Sequence, residues 1–326
     1  MVSKINFLKT SLLFFFIHIG TNIYAQDDKF EDNIPWINFE WQSHELNGRL
    51  IEKTAITVPV RIDNLPYKFD AQFDLGAISS MFYENTINPY LSIYPYLTEK
   101  IDTTKTGLIQ GIHSPVIRDI DLTLDGILFP KRELLLFKGY GDVMNTDSVH
   151  TPSVKHIGTI AADLFADKIL VIDYPNQRLC GLNTIPHSWV KNFEFVDIEH
   201  IKERNWLLLP LQINGNTEKV VFDTGSSLFP VVSSAQKISS IADTTKIVDQ
   251  FTGSSWGEAE VVYGFEPNVE IKIGTTILES LPVYYSENID DEMLDYAGFW
   301  GLAGNRYFLN KIVILDYKNQ RFGISR

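Results

Sequence analysis

The sequence predicts an all-β fold built by tandem duplication, and three observations carry that expectation. Helix signals are weak: no window sustains an apolar repeat of 3.6 residues between a capping residue and a clean stop. Short apolar or alternating runs dominate instead, among them AITVPVRI (55–62), IDLTLDGILF (120–129), KILVIDY (168–174), NWLLLPLQI (205–213) and KIVILDY (311–317). Turn-forming stretches such as DNLP, INGNTE, YPNQ and YKNQ separate them. The third observation is that the chain repeats itself in order. VPVRID (58–63) answers LPLQIN (209–214), and QFDLGAISS (72–80) answers VFDTGSSLF (221–229). TGLIQG (106–111) answers TGSSWG (252–257), and GTIAADLFADKILVIDYPNQRL (158–179) answers GLAGNRYFLNKIVILDYKNQRF (301–322). Chance supplies one matching tetrapeptide, not several blocks in register.

The elements follow in order. Residues 1–25 read as an export signal: Lys4 and Lys9 form a positive start, SLLFFFIHIG a short apolar core, and Ala25 a cleavage site. The mature chain is then expected in the periplasm or outside the cell. Residues 26–45 are a polar, acidic lead-in that adds a strand or stays loose. One half runs over 46–185, a linker over 186–204, and the second half over 205–326. Brief helical turns are expected around 233–242 and 303–310. SENIDDEMLD (286–295) lacks the ligand rhythm of a calcium loop and reads as a solvated acidic loop.

Composition narrows the class of function. A chain of 326 residues is long enough to bury a core in each half. The net charge of −13 argues against a nucleic-acid partner, because a phosphate backbone asks for a basic face. The leading apolar run is too short to span a bilayer comfortably and no later one is longer, so no stable membrane span is expected. Cys180 is the only cysteine, so no internal disulfide is possible and the core alone holds the protein. It reads as a small buried residue at a strand end. A monomer is expected.

The repeated Phe-Asp-x-Gly phrase carries the chemistry. An apolar strand delivers an aspartate to its end, and glycine lets the chain turn sharply beside the carboxylate. Small residues next, Ala77 and Ser226, leave room for a second loop to approach. If the halves face each other, Asp74 and Asp223 meet across a two-fold axis. Two carboxylates that close share one proton. The ionised one takes a proton from water while the protonated one polarises a carbonyl, which is general acid–base hydrolysis of an amide. DLGA by itself is ordinary turn chemistry; it is the pairing inside a duplication that points to a site.

On these motifs the chain resembles the pepsin-type aspartic peptidases, with bacterial retropepsin-like domains the nearest in style. The resemblance covers most of the mature chain and implies a bilobal, pepsin-like acid protease fold with its cleft between the lobes. It implies an endopeptidase with Asp74 and Asp223 as the catalytic pair, and Gly76, Ala77, Thr224, Gly225 and Ser226 supporting the loops. It implies a peptide or protein substrate and no cofactor. LAG ending at Gly304 matches the late apolar-apolar-glycine motif, and KTGLIQGIHS (105–114) occupies the place of a flap, with Gly107 and Gly111.

The chain also departs from that pattern. Leu75 stands where the family has threonine, Ala161 where it has the first late glycine, and no tyrosine lies between 104 and 115. In the family the two threonine hydroxyls bond across the axis, and leucine has neither donor nor acceptor. A buried partner left unpaired costs about 1–3 kcal/mol, roughly a tenfold to hundredfold in rate if it all enters the barrier. Leucine packed into the interface would instead replace polar with apolar support. The competing reading is a catalytically weak or inactive lobe pair acting as a peptide-binding or inhibitory module. Ala77 offers no hydroxyl to Asp74, which raises the pair's lower apparent pKa and favours mildly acidic to neutral working pH.

Other chemistries find no footing. The seven histidines show no His-Glu-x-x-His or similar ligand spacing, so no metal is expected. His113 reads as a surface residue. Ser226 and Ser227 lack a Gly-x-Ser-x-Gly elbow. Trp256, Tyr263 and Trp300 are candidates equally for a cleft and for the core.

Overall fold

Strands with one apolar face must stack that face against another layer. In the computed structural model, which describes residues 34–326, such strands form three large sheets joined by short helices. The stretch read as an export signal, 1–25, and residues 26–33 of the lead-in lie outside the described residues. Residues 35–326 form one compact unit. No helix among the described residues is long and apolar enough to cross a membrane.

An eight-stranded sheet takes its strands from the first part of the chain. Its order is Glu40–Leu46, Arg49–Ile62, Phe69–Phe73, Lys155–Ile160, Met81–Tyr83, Ile127–Phe137, Ile112–Leu124 and Ile101–Ile109. A ten-stranded sheet takes its strands from 199–303. The two share their local wiring. The strand ending at Phe73 runs parallel to Lys155–Ile160, as Asn216–Phe222 does to Gly301–Ala303. Met81–Tyr83 pairs antiparallel with Lys155–Ile160 and parallel with Ile127–Phe137. Val232–Ser233 repeats this with Gly301–Ala303 and Val283–Ser286.

A six-stranded sheet mixes strands from early and late in the chain: Ile37–Asn38, Arg178–Leu182, Ile169–Asp173, Ile312–Asp316, Arg321–Ser325 and Phe193–Asp197. At its centre Ile169–Asp173 pairs antiparallel with Ile312–Asp316, Val171 facing Ile314 and Ile169 facing Asp316. Val171 and Ile314 are counterparts in the sequence repeat, so this register is two-fold self-complementary.

The shared DY-x-NQR phrase builds the turn that closes each of these strands. Asp173 accepts from the Asn176 backbone N–H, the Asn176 amide and Arg178 Nε; Asp316 accepts from the Asn319 backbone N–H, the Asn319 amide and Arg321 Nη2. Both aspartates are buried. Gln177 and Gln320 take the left-handed conformation, φ 50° and 51°.

Local expectations meet mixed outcomes, the linker and the acidic loop differing and the others agreeing. The stretch read as a linker is woven into the sheets: Phe193–Asp197 pairs with Arg321–Ser325, and Glu199–Ile201 with Trp206–Ile213. The lead-in contributes Ile37–Asn38 and most of a hairpin arm, Glu40–Leu46. The acidic stretch before the last strands holds a helix, Asp291–Ala297. The Asp290 carboxylate accepts Met293 N–H at 2.6 Å at its start, and Gly298 at φ +78° ends it. The turns expected near 233–242 and 303–310 are the helix Ala235–Ser239 and the 3-10 turn Arg306–Phe308. Cys180 is fully buried, which pushes its thiol up to about 12 and leaves it inert.

Candidate active site

Each Phe-Asp is anchored from behind by an aromatic pair. Phe73 meets Phe165 edge-on at 6.0 Å, and Phe222 meets Phe308 at 5.4 Å. Phe165 and Phe308 are counterparts in the repeat, and all four rings are buried. With the strand end fixed, the loop folds back on its own aspartate. Asp74 Oδ1 accepts N–H bonds from Gly76 at 2.8 Å and Ala77 at 3.0 Å. Asp223 Oδ1 accepts them from Gly225 at 2.8 Å and Ser226 at 3.3 Å.

The two loops meet reciprocally. A Cβ on Gly76 would lie 2.4 Å from Asp223 Cγ, and one on Gly225 would lie 2.6 Å from Asp74 Cγ. Neither glycine tolerates a side chain, because each backbone carries the opposite carboxyl on its surface. Asp74 is buried and Asp223 is half-buried. Burial, the charge of Asp223 and a hydrogen bond between the carboxyls push Asp74 well above the ordinary 3.8. The two loops are not chemically equal. Ser226 Oγ donates to Asp223 Oδ2 at 2.8 Å, and Ala77 has nothing to offer Asp74.

Of the two equivalent positions, 75 and 224, only Thr224 bonds to the opposite loop through its side chain. Its buried hydroxyl accepts Leu75 N–H at 2.9 Å and donates to the Phe73 carbonyl at 3.0 Å. Leu75 is 2% exposed and packs in the main core, so its side chain gives apolar support. Trp206 adds a polar hold on the first loop, its Nε1 donating to the Gly76 carbonyl at 2.7 Å. The second loop is held from below by Asn305, whose amide donates to Thr224 O at 2.9 Å and Ser227 Oγ at 2.6 Å. Tyr174 hydroxyl donates to the Asn305 oxygen at 2.6 Å and orients it.

Ala161 also has a local remedy. Its counterpart Gly304 donates N–H to the Phe229 carbonyl at 3.0 Å, and a Cβ there would fall 2.0 Å from the Ser226 carbonyl. Beside Ala161, Ser80 Oγ rather than a backbone carbonyl accepts the N–H, at 2.9 Å. Asp163 then fixes Ser80, taking its hydroxyl at 2.5 Å and its N–H at 3.0 Å.

A cavity of about 700 Å³ opens over the two aspartates, and Gly225 and Ser226 also line it. Two hairpins wall it. Glu40–Leu46 with Arg49–Ile62 supplies His44, Leu46 and Thr54; Asp249–Ser255 with Glu258–Phe265 supplies Phe251, Gly253 and Glu260. The hairpins are joined: Arg49 pairs with Asp249 at 2.7 Å, and Asn47 Nδ2 donates to the Gln250 carbonyl at 3.0 Å. At the tip of the second, Trp256 packs on Tyr140 at 6.0 Å and Phe137 at 6.2 Å. A second cavity of about 410 Å³ shares Gln72, Tyr83 and Tyr140 with the first and reaches His156 and Asp142.

Asp74, Asp223, Gly76, Ala77, Thr224, Gly225 and Ser226 therefore sit together. Gly107 and Gly111 do not join them as cavity residues. Gly111, at φ +73°, forms the turn of the hairpin Ile101–Ile109 with Ile112–Leu124, and Gly107 lies against Leu135. That hairpin reaches the site through Ile109, which packs in one cluster with Ala77. His113 is exposed. Trp256 lines the cavity, and Tyr263 and Trp300 do not. Sequence reasoning missed Tyr83, Tyr140, Phe251, Glu260 and Trp206, single residues outside the repeated phrases, and also Phe229, which ends VFDTGSSLF. It also split the first hairpin, although Asn47-Gly48 between alternating runs is a strong hairpin signal.

No protein-family model matches this sequence, and no curated protein does.

Proposed function

We propose that the protein is an aspartic-type endopeptidase, exported from the cell, of a bilobal pepsin-like kind. The observation that carries this reading is the reciprocal approach of the Asp74 and Asp223 loops, each glycine backbone against the opposite carboxyl, beneath a cavity that both aspartates line. The repeated wiring of the two larger sheets and the self-complementary central register support the two-fold arrangement.

The shared proton rests on Asp74, the more buried carboxyl with fewer donors. Asp223, with two N–H donors and the Ser226 hydroxyl, carries the charge. A water between them gives a proton to Asp223 as its oxygen bonds to the peptide carbonyl carbon. The carbonyl oxygen takes up the proton of Asp74, giving a neutral tetrahedral diol. Asp223 then protonates the leaving nitrogen and Asp74 recovers its proton as the C–N bond breaks. Both carboxyls return to their starting states.

This assignment sets the pH dependence. Activity needs Asp74 protonated, so its raised pKa moves the alkaline limb of the rate profile upward and permits work at mildly acidic to neutral pH. The test is digestion of a diverse peptide mixture by the mature protein from pH 3 to 8, read by mass spectrometry. Asp223→Asn and pepstatin-treated samples run beside it. Cleavage that disappears in both controls is expected. A folded wild type that cuts nothing at any pH would leave a peptide-binding module, and an optimum below about pH 3 would overturn the proton assignment.

A further inference from the structure

The charge of the cavity is one-sided. Glu45 and Glu260 join Asp74 and Asp223 in its lining, and no lysine or arginine among the described residues does. His44 is the single basic group there, and its Nδ1 is engaged with Thr54 Oγ1 at 2.6 Å.

Glu260 is the better placed of the two glutamates, being half-buried where Glu45 is exposed. It faces Gly253 across the hairpin, and nothing lies within 4 Å of where a side chain on Gly253 would start. The glycine leaves open space beside the carboxylate. Glu260 Oε1 accepts the hydroxyl of buried Ser286, which fixes the head group. Among the described residues no cationic side chain pairs with it, in contrast to Asp249, which has Arg49. A carboxylate partly withdrawn from water, with other carboxyls around it and no cation, favours an occupant that brings positive charge. The aromatic faces of Trp256 and Tyr140 on the same cavity suit the apolar stem of a long basic side chain.

We propose that the site selects peptide segments carrying lysine or arginine close to the scissile bond, with Glu260 receiving the cationic head. The inference rests on the peptidase reading for the word scissile; selection for a basic segment stands on the cavity itself. The test uses one fluorescent peptide in two forms, with arginine or with its neutral isostere citrulline at the same position. Binding is measured on Asp223→Asn and cleavage on the wild type.

The arginine form is expected to bind at least about tenfold more tightly, and the ratio shrinks with added salt. Adding Glu260→Gln, which keeps an oxygen for Ser286, is expected to bring the ratio to about one. Glu260→Lys is expected to invert it in favour of a glutamate-containing peptide. Equal binding of the two forms, binding of neither, or a ratio unchanged in folded Glu260→Gln overturns the inference, whatever cleavage shows. A tenfold preference in Asp223→Asn with no cleavage by the wild type keeps the selectivity and removes the peptidase reading.

Discussion

Thr224 and Leu75 occupy the same place in the two loops, and only one of them has a hydroxyl. That hydroxyl is fully used, as acceptor from Leu75 N–H and donor to the Phe73 carbonyl, so the backbone of the leucine loop is satisfied by its partner. Thr224→Val leaves two buried polar groups unpaired and is expected to cost about 2–4 kcal/mol in urea denaturation. Leu75→Thr gives up apolar burial for a hydroxyl that neither of those groups needs. It is expected to destabilise as well, without raising kcat/KM tenfold; a tenfold gain would mean that leucine is a true defect. Asp74 offers a test with a definite sign. A carboxyl raised in the folded state binds more protons there than in the unfolded chain from pH 3.8 up to its folded value, so stability falls as pH climbs through that window. Asp74→Asn is therefore expected to abolish cleavage yet melt above the wild type at pH 7, with the gap closing below pH 3.8. Thermal melts across pH check this, and a variant that melts lower at pH 7 would reverse the assignment. At this scale the sequence was legible where residues came in pairs. Trp206 and Glu260 belong to no pair, and their roles depend on which loop the fold brings beside them.

The hairpins over the cavity are held to each other by an exposed ion pair. Arg49 is largely in solvent and Asp249 partly so, which puts the pair at no more than about 1 kcal/mol. Arg49→Ala is therefore expected to leave the melting temperature within about 3 °C while raising KM several-fold, because the wall it steadies lines the cavity. A shift in melting without one in KM would make the contact purely structural. Elements were legible in proportion to how local their causes are. Asn47-Gly48 dictates a hairpin by backbone conformation alone, whereas the helix Glu84–Ile93 carries Pro89 inside and has no side-chain cap at Tyr83, so nothing nearby announces it. The helix Asp291–Ala297 was readable in principle, from an aspartate cap, acidic first turn and closing glycine. Its charge hid it, since one buried leucine leaves little apolar pattern.

Across the molecule, the repeat made the order of strands readable but not their neighbours. Nothing in KILVIDY or KIVILDY says that the two pair with each other, because that choice is made by the whole chain closing on itself. The buried aspartates that end these strands lie on the sheet joining early and late parts of the chain. Asp316→Ala removes the acceptor for Asn319 and Arg321 and is expected to cost about 2–3 kcal/mol. Chemical denaturation measures it, and a change under 0.5 kcal/mol, the level of an ordinary surface substitution, would make the DY-x-NQR turn dispensable.

The central register has one more implication. Val171 faces Ile314, its own counterpart, so the seam between early and late strands is a handshake of like with like. A seam of that kind does not require one continuous polypeptide: two identical shorter chains could close it equally well, each lending a single aspartate. Within one chain the two copies need not be alike: the Thr224 hydroxyl serves the backbone of both loops, and Leu75 packs into the core instead.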